Sequence, residues 1–221
     1  MEQRSPYSTA GEASVLQTNK VLRNTYMLLA MTLTFSAVCA GITMAMNISP
    51  GVALGMNLAA LVMIFFLNKA SQSSMGILFV FAFTGLLGGS LGYTLNYYAG
   101  FQNGGELIMQ AFGATALVFF GLSGYVLTTK KDFSFMGGFL LVGLIVAVVA
   151  SIANIFMGIP ALSLAVSAAI VFIMSGFILY DTSAIIHGGE TNYIMATIRL
   201  YLDILNLFTA LLHILGVMND D

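Results

Sequence analysis

Asp181, Arg199, Asp203, Asn206 and His213 are polar residues set in some of the most apolar stretches of the chain. In IRLYLDILNLFTALLHILG, residues 198–216, the residues Arg199, Asp203, Asn206, Ala210 and His213 follow a 4, 3, 4, 3 spacing. An α-helix turns about 100° per residue, so these positions share a sector of roughly 80°. Two carboxylates in one low-dielectric site cannot both ionise cheaply, and they titrate as a unit. They are also hard oxygen ligands, suited to Ca2+. A pair made by Asp181 and Asp203 can therefore hold a proton or pass a cation, with Arg199 as a salt-bridge partner. The opposing reading is an ion pair that only fixes helix register.

The elements that must position these residues follow from composition. Of 221 residues, 59% are hydrophobic and only 7% charged, and the mean hydropathy is +0.96. A soluble domain carries about 25% charged residues, so the class is integral membrane protein, all α. The net charge of −2 offers no basic face for nucleic acid. Cys39 is the single cysteine and reads as a small buried hydrophobe. The first 24 residues are polar, lack the apolar core of a signal peptide, and read as a disordered tail.

A membrane helix needs about 20 mostly apolar residues. Seven windows qualify: 25–46, 51–67, 75–98, 106–128, 134–157, 161–186 and 193–218. The breaks carry turn signals, among them NISPG, AGFQNGGE, GIP and HGGETN, with Pro50 and Pro160 in breaks. Arg4, Lys20 and Arg23 in the tail, Lys69 after span two, and Lys130 and Lys131 after span four all fall on one side. Cytoplasmic loops are the ones rich in Lys and Arg, so the N-terminus is expected inside and the C-terminus, 219–221, outside.

Depth brings the polar residues together. Asp203 lies about 15 Å from the inner boundary, Arg199 about 9 Å and Asp181 about 7–8 Å. Lipid-facing carboxylates are expensive, so the polar face of the last span should look inward and that helix should be central in the bundle. His187 and Glu190 sit in the HGGETN turn, as turn-forming residues or as secondary proton-access points. His213 reads as a satisfied histidine near the outer end. Asn57, Asn96, Asn154 and Ser151 read as hydrogen-bond partners between helices. Gly85, Gly88, Gly89 and Gly92 in GLLGGSLG let backbones approach closely.

Several stretches carry a resemblance. LYD (179–181) followed by HGGETNYIMATIRLYLDILNLF (187–208) resembles the signature region of the Bax inhibitor-1 family. KVLRNTYMLLAMTLTFSA (20–37) and GATALVFFGLSGYVLTTKKDFSFMGG (113–138) resemble its bacterial branch, which includes a modulator of the FtsH protease. The resemblance implies a seven-helix bundle with the last helix at its centre, in the bacterial inner membrane, with its C-terminus periplasmic. It implies an FtsH-type membrane protease as partner, gripping residues 1–24, and protection of other membrane proteins from degradation. It also implies a pH-sensitive Ca2+ leak on a di-aspartyl sensor, whose matching positions are Asp181 and Asp203. Such members set a second-span arginine against the pair. Here the second span holds no basic residue except Lys69 at its end, which leaves Arg199 for that role.

Two classes therefore stand: an interaction protein regulating membrane proteolysis, and a cation leak gated by the carboxyl pair, compatible with each other. An intramembrane aspartyl protease is a distant alternative, because its GxGD signature is absent: Asp203 follows LYL and Asp181 follows ILY. No phosphate-cradling loop or serine elbow stands in a suitable context, so neither an enzyme nor a bound cofactor is expected beyond Ca2+. Neither motif nor spacing sets an oligomeric state.

Overall fold

The computed structural model describes residues 6–73 and 75–219, leaving aside the side chains of residues 6–15. Its helices are α1 Pro6–Ala45, α2 Pro50–Ala70, α3 Gly76–Ala99, α4 Gly104–Thr129, α5 Gly137–Met157, α6 Pro160–Ile186 and α7 Tyr193–Asn219. A single 3-10 turn, Ser134–Met136, leads into α5. Among the described residues, seven helices are long and apolar enough to cross a membrane, as the apolar windows led one to expect.

Local chemistry sets the ends. Pro50 and Pro160 open α2 and α6, where a missing N–H costs nothing. The Ser49 side chain caps α2 by accepting from the Val52 N–H at 3.4 Å. Gly158 closes α5 with φ +63°, a left-handed conformation that glycine adopts without strain. One boundary differs from expectation. The helix preceding the first span starts at Pro6, so residues 6–24, expected as disordered tail, continue α1. Between Pro6 and Thr25 the sequence holds no further proline, and Ala, Glu, Leu, Gln, Lys and Arg favour helix even where polarity rules out a span. Residues 1–5 of that tail, and 220–221 of the expected C-terminal end, lie outside the described residues.

The closest-knit pair is α1 with α3. A Cβ added at Gly88 would strike Ser36, and one at Gly92 would strike Thr43 and Met44, all on α1. These glycines thus serve tight packing within the bundle. Cross-links reinforce the contact: Thr43 Oγ1 donates to Gly89 O at 2.7 Å and Asn96 Nδ2 to Met44 O at 2.8 Å. α2 leans on α3, and α5 on α6. The side of α5 away from α6 bears exposed Phe139, Ile145, Val149, Ile152 and Phe156, a surface suited to lipid. α7 packs against α1, α3, α4 and α6. Its Leu200, Tyr201, Leu207 and Leu212 are fully buried.

The α7 contacts are partly polar. Tyr201 is 0% exposed, and its hydroxyl donates to Thr84 O on α3 at 3.1 Å and meets Ser36 Oγ on α1 at 2.7 Å. Thr197 Oγ1 lies 3.3 Å from Thr25 O. On α6, Thr182 meets Ser123 at 3.0 Å, which accepts from the Tyr26 hydroxyl at 2.9 Å. Inside an apolar bundle such bonds fix which helix faces meet.

Candidate functional site

Asp181 sits near the end of α6 and Asp203 in the middle of α7. Both are buried, at 6% and 5% exposure. Their carboxyl groups face each other within hydrogen-bonding reach. A hydrogen bond between two carboxyls would need one proton between them. Among the described residues Asp203 Oδ2, a buried atom, has no hydrogen-bond partner.

Arg199 stands beside the pair. Its Nη1 lies 3.6 Å from Asp181 Oδ1, and its Nη2 lies 3.4 Å from Glu190 Oε2. Asp181 is thus the partner of Asp203, and Arg199 reaches the pair through Asp181. The guanidinium is 45% exposed while the two carboxylates are 7% and 14% exposed. Arg199 bridges a buried acid and a turn acid from the rim of the bundle. Glu190 is held in place by its own turn: its Oε1 accepts from the Asn192 N–H at 2.9 Å. Asn192 in turn caps α7, accepting from Ile194 N–H at 2.9 Å, and donates to Ser71 O at 3.1 Å. The Glu190 contact escaped sequence reasoning. Its signal is a turn that folds back: Asn192 caps α7, and the cap brings position 190 level with the first turns of that helix.

The expected polar stripe divides. Asp203 and Ala210 are buried, Arg199 and Asn206 are exposed, and His213 is half-buried. About 100° per residue puts Asp203 and Ala210 on one side of Arg199, and Asn206 and His213 on the other. The stripe therefore straddles the edge of the buried face instead of lying at its centre. Asn206 donates to Leu202 O of its own helix at 2.8 Å and takes no part in the pair. His213 bridges two serines of α6, with Ser167 Oγ 3.0 Å from Nδ1 and Ser163 Oγ 3.3 Å from Nε2. Beside them a cavity of about 230 Å3 is lined by Ser151, Asn154, Ser163 and Ser167 among others.

The expected interhelical partners also divide. Asn57 Oδ1 accepts from Ser90 at 3.0 Å, and Asn96 reaches Met44 O and, at 3.1 Å, Asn47 Oδ1. Asn154 instead accepts from Ile159 N–H at 3.0 Å, holding its own turn, and Ser151 bonds Ala147 O of its own helix.

A smaller cleft of about 130 Å3 opens beside Glu190, with Gln17, Thr18 and Val21 of α1 on its other wall. His187 and Ser183 fasten the α4–α5 loop. Ser183 Oγ accepts from Phe133 N–H at 2.9 Å, and His187 Nε2 lies 3.1 Å from Lys130 O. Asp132 Oδ1 accepts from Ser134 N–H at 2.8 Å. That bond, with lesser help from the nearby His187 ring, holds the Asp132 carboxyl below the usual carboxylate range. Ser183, His187 and Asp132 do not form a nucleophilic triad. His187 Nε2 faces a carbonyl, not a carboxylate, and Asp132 lies 3.5 Å from the serine.

Ca2+ takes six to eight oxygens. Asp181 and Asp203 offer four at most, with a guanidinium alongside. Among the described residues no group of three or more His, Cys, Asp or Glu could hold a metal ion. The pair does not fit a resident Ca2+ site.

Residues 18–220 match the family described as inhibitor of apoptosis-promoting Bax1. An uncharacterized membrane protein of Vibrio cholerae is 56% identical over 214 residues, 96% of each chain. The modulator of FtsH protease YccA, from Escherichia coli, is 50% identical over 216 residues, 97% of each chain. An uncharacterized protein of Pseudomonas aeruginosa is 47% identical over 222 residues, the full length of both. The family match runs from within α1 through α7, including the turn that joins the carboxyl pair to Arg199, and the chain belongs to the Bax inhibitor-1 family.

Proposed function

We propose that this protein modulates an FtsH-type protease in the bacterial inner membrane, restraining its degradation of other membrane proteins. The observation that carries this reading is the 50% identity, across 97% of both chains, to a protein named for that activity. Modulation is a binding function and calls for no catalytic residue. The N-terminus is cytoplasmic and the C-terminus periplasmic, by the placement of Lys and Arg. α7 is the axis of the bundle, supported by its packing on α1, α3, α4 and α6. Residues 1–24 are the handle that the protease grips. The test follows the half-life of a membrane substrate of the protease in cells producing the full chain or a chain lacking residues 2–20. The full chain lengthens the half-life and the deletion does not. Equal protection by both chains refutes the handle, and no protection by either refutes the modulator.

A second activity is supported by one specific observation: a buried carboxyl pair with an unpartnered oxygen, Asp203 Oδ2. The pair gates a pH-sensitive leak of cations, Ca2+ included, as cargo rather than as a resident ion. Protonation of the pair changes its hold on Arg199, and with it the seal at this end of α6 and α7. Asp181→Asn and Asp203→Asn, reconstituted in vesicles, abolish the pH dependence of Ca2+ flux. An unchanged profile in both variants removes the gate.

A further inference from the structure

His187 ends α6 with its ring between two carbonyls. Nδ1 lies 2.9 Å from Ser183 O, and Nε2 lies 3.1 Å from Lys130 O. A carbonyl oxygen only accepts, so both contacts ask for an N–H. A neutral imidazole has one N–H and an imidazolium has two. Ser183 O already accepts from the His187 backbone N–H at 3.0 Å, so Lys130 O is the carbonyl that depends on the ring, and only the charged ring donates to both.

Ser183 supplies the second moving part. Its oxygen accepts from Phe133 N–H at 2.9 Å. Its own proton has three acceptors within reach: His187 Nδ1 at 3.3 Å, Lys131 O at 3.4 Å and Asp132 Oδ1 at 3.5 Å. With a neutral ring protonated on Nε2, the hydroxyl must turn to Nδ1 to mask its lone pair. With a charged ring, Nδ1 donates to Ser183 O, and the hydroxyl is free to turn to the α4–α5 loop. One proton on His187 therefore adds one link between the loop and α6, the Ser183 hydroxyl turned to Lys131 O or Asp132, while the Nε2 bond to Lys130 O is kept.

We propose that protonated His187 clasps the α4–α5 loop to the α6–α7 turn, forming a surface pH device separate from the buried carboxyl pair. The charged groups around it are few. The loop brings Lys130, Lys131 and Asp132. Lys131 Nζ lies 5.7 Å from the centre of the Tyr125 ring. Asp132 attracts the imidazolium. The turn brings Glu190, already engaged by Asn192 and Arg199. α1 meets the turn through the uncharged Gln17 and Thr18.

The clasp does not depend on what the protein regulates, so it stands or falls apart from the proposed function. The experiment is hydrogen–deuterium exchange of the full chain in lipid nanodiscs, read on the peptide covering residues 130–136. Rates are corrected for the intrinsic base catalysis of exchange. Protection falls about five-fold or more, the effect of one ordinary hydrogen bond, as rising pH takes the proton off the ring. His187→Gln, which keeps a donor but cannot titrate, shows no step. The doubly substituted Asp181→Asn, Asp203→Asn chain keeps the step. A flat wild-type profile overturns the clasp without recourse to any variant. A step that persists in His187→Gln, or vanishes when the buried pair is neutralised, overturns it as well.

Discussion

Substituting Gly88 by alanine tests the tight α1–α3 contact directly. An alanine Cβ there lies 2.7 Å from Ser36 Cα and meets Ser36 O and Oγ as well. Ordinary contacts between carbons sit at about 3.5–4.0 Å. Two of the obstructing atoms are backbone and cannot rotate away, so α1 and α3 must part by about 1 Å. Overpacking of this kind costs about 1–3 kcal/mol. The same movement carries Ser36 Oγ away from the Tyr201 hydroxyl, now 2.7 Å off, and breaks a buried bond worth about 1 kcal/mol. The sum is about 2–4 kcal/mol. Gly121 on α4 is the control, since a Cβ there meets nothing within 4 Å. Gly121→Ala gains about 1 kcal/mol at most from helix propensity. Reversible unfolding by SDS in mixed micelles ranks the two variants against wild type. A Gly88→Ala chain as stable as Gly121→Ala refutes the packing argument.

Three further outcomes follow from the same geometry. Tyr201→Phe strips Ser36 of its buried partner and costs about 1–2 kcal/mol, and a double-mutant cycle with Ser36→Ala shows coupling; simple additivity contradicts the bond. Ser167→Ala leaves His213 Nδ1 without its 3.0 Å partner and lowers the thermal midpoint more than Ser163→Ala, whose bond is longer at 3.3 Å; the reverse order is incompatible with the distances. Asp132 is held ionised in the fold, so its stabilisation of the loop is fully present above the ordinary aspartate value near about 4 and is lost as pH falls below it. Carboxyl carbon NMR reads that titration, and a midpoint above the ordinary value contradicts the Ser134 bond.

The spans were legible because apolar runs end at turn residues. Apart from the start of α1, each observed helix end lies within three residues of its expected position. The start of α1 was not legible, because polarity says where a helix can cross a membrane and not where it begins. Periodicity located the polar face of α7. Which half of that face is buried depends on α1, α4 and α6, and no spacing within α7 carries that information. Depth, with the short turn that makes α6 and α7 neighbours, was the sequence argument for grouping Asp181, Arg199 and Asp203. Glu190 needed the path of the turn, which Asn192 sets by capping α7. Asn57 and Asn96 bind across helices while Asn154 holds its own turn. Spacing does not separate them, because Asn96 also lies four residues before a helix-closing glycine; Gly100 closes α3 with φ −71°, whereas Gly158 closes α5 left-handed with φ +63°.

The packing of α7 has a consequence for how the chain is made. The ribosome delivers α7 last, yet α1, α3, α4 and α6 all rest on it. Until it arrives, the Ser36 hydroxyl lacks the Tyr201 partner it has in the finished protein, and Asp181 lacks both Arg199 and Asp203. Polar and ionisable groups bare to lipid are expensive. A nascent chain cut short before position 193 therefore carries its own mark of incompleteness. Insertion of the final helix erases that mark in a single step.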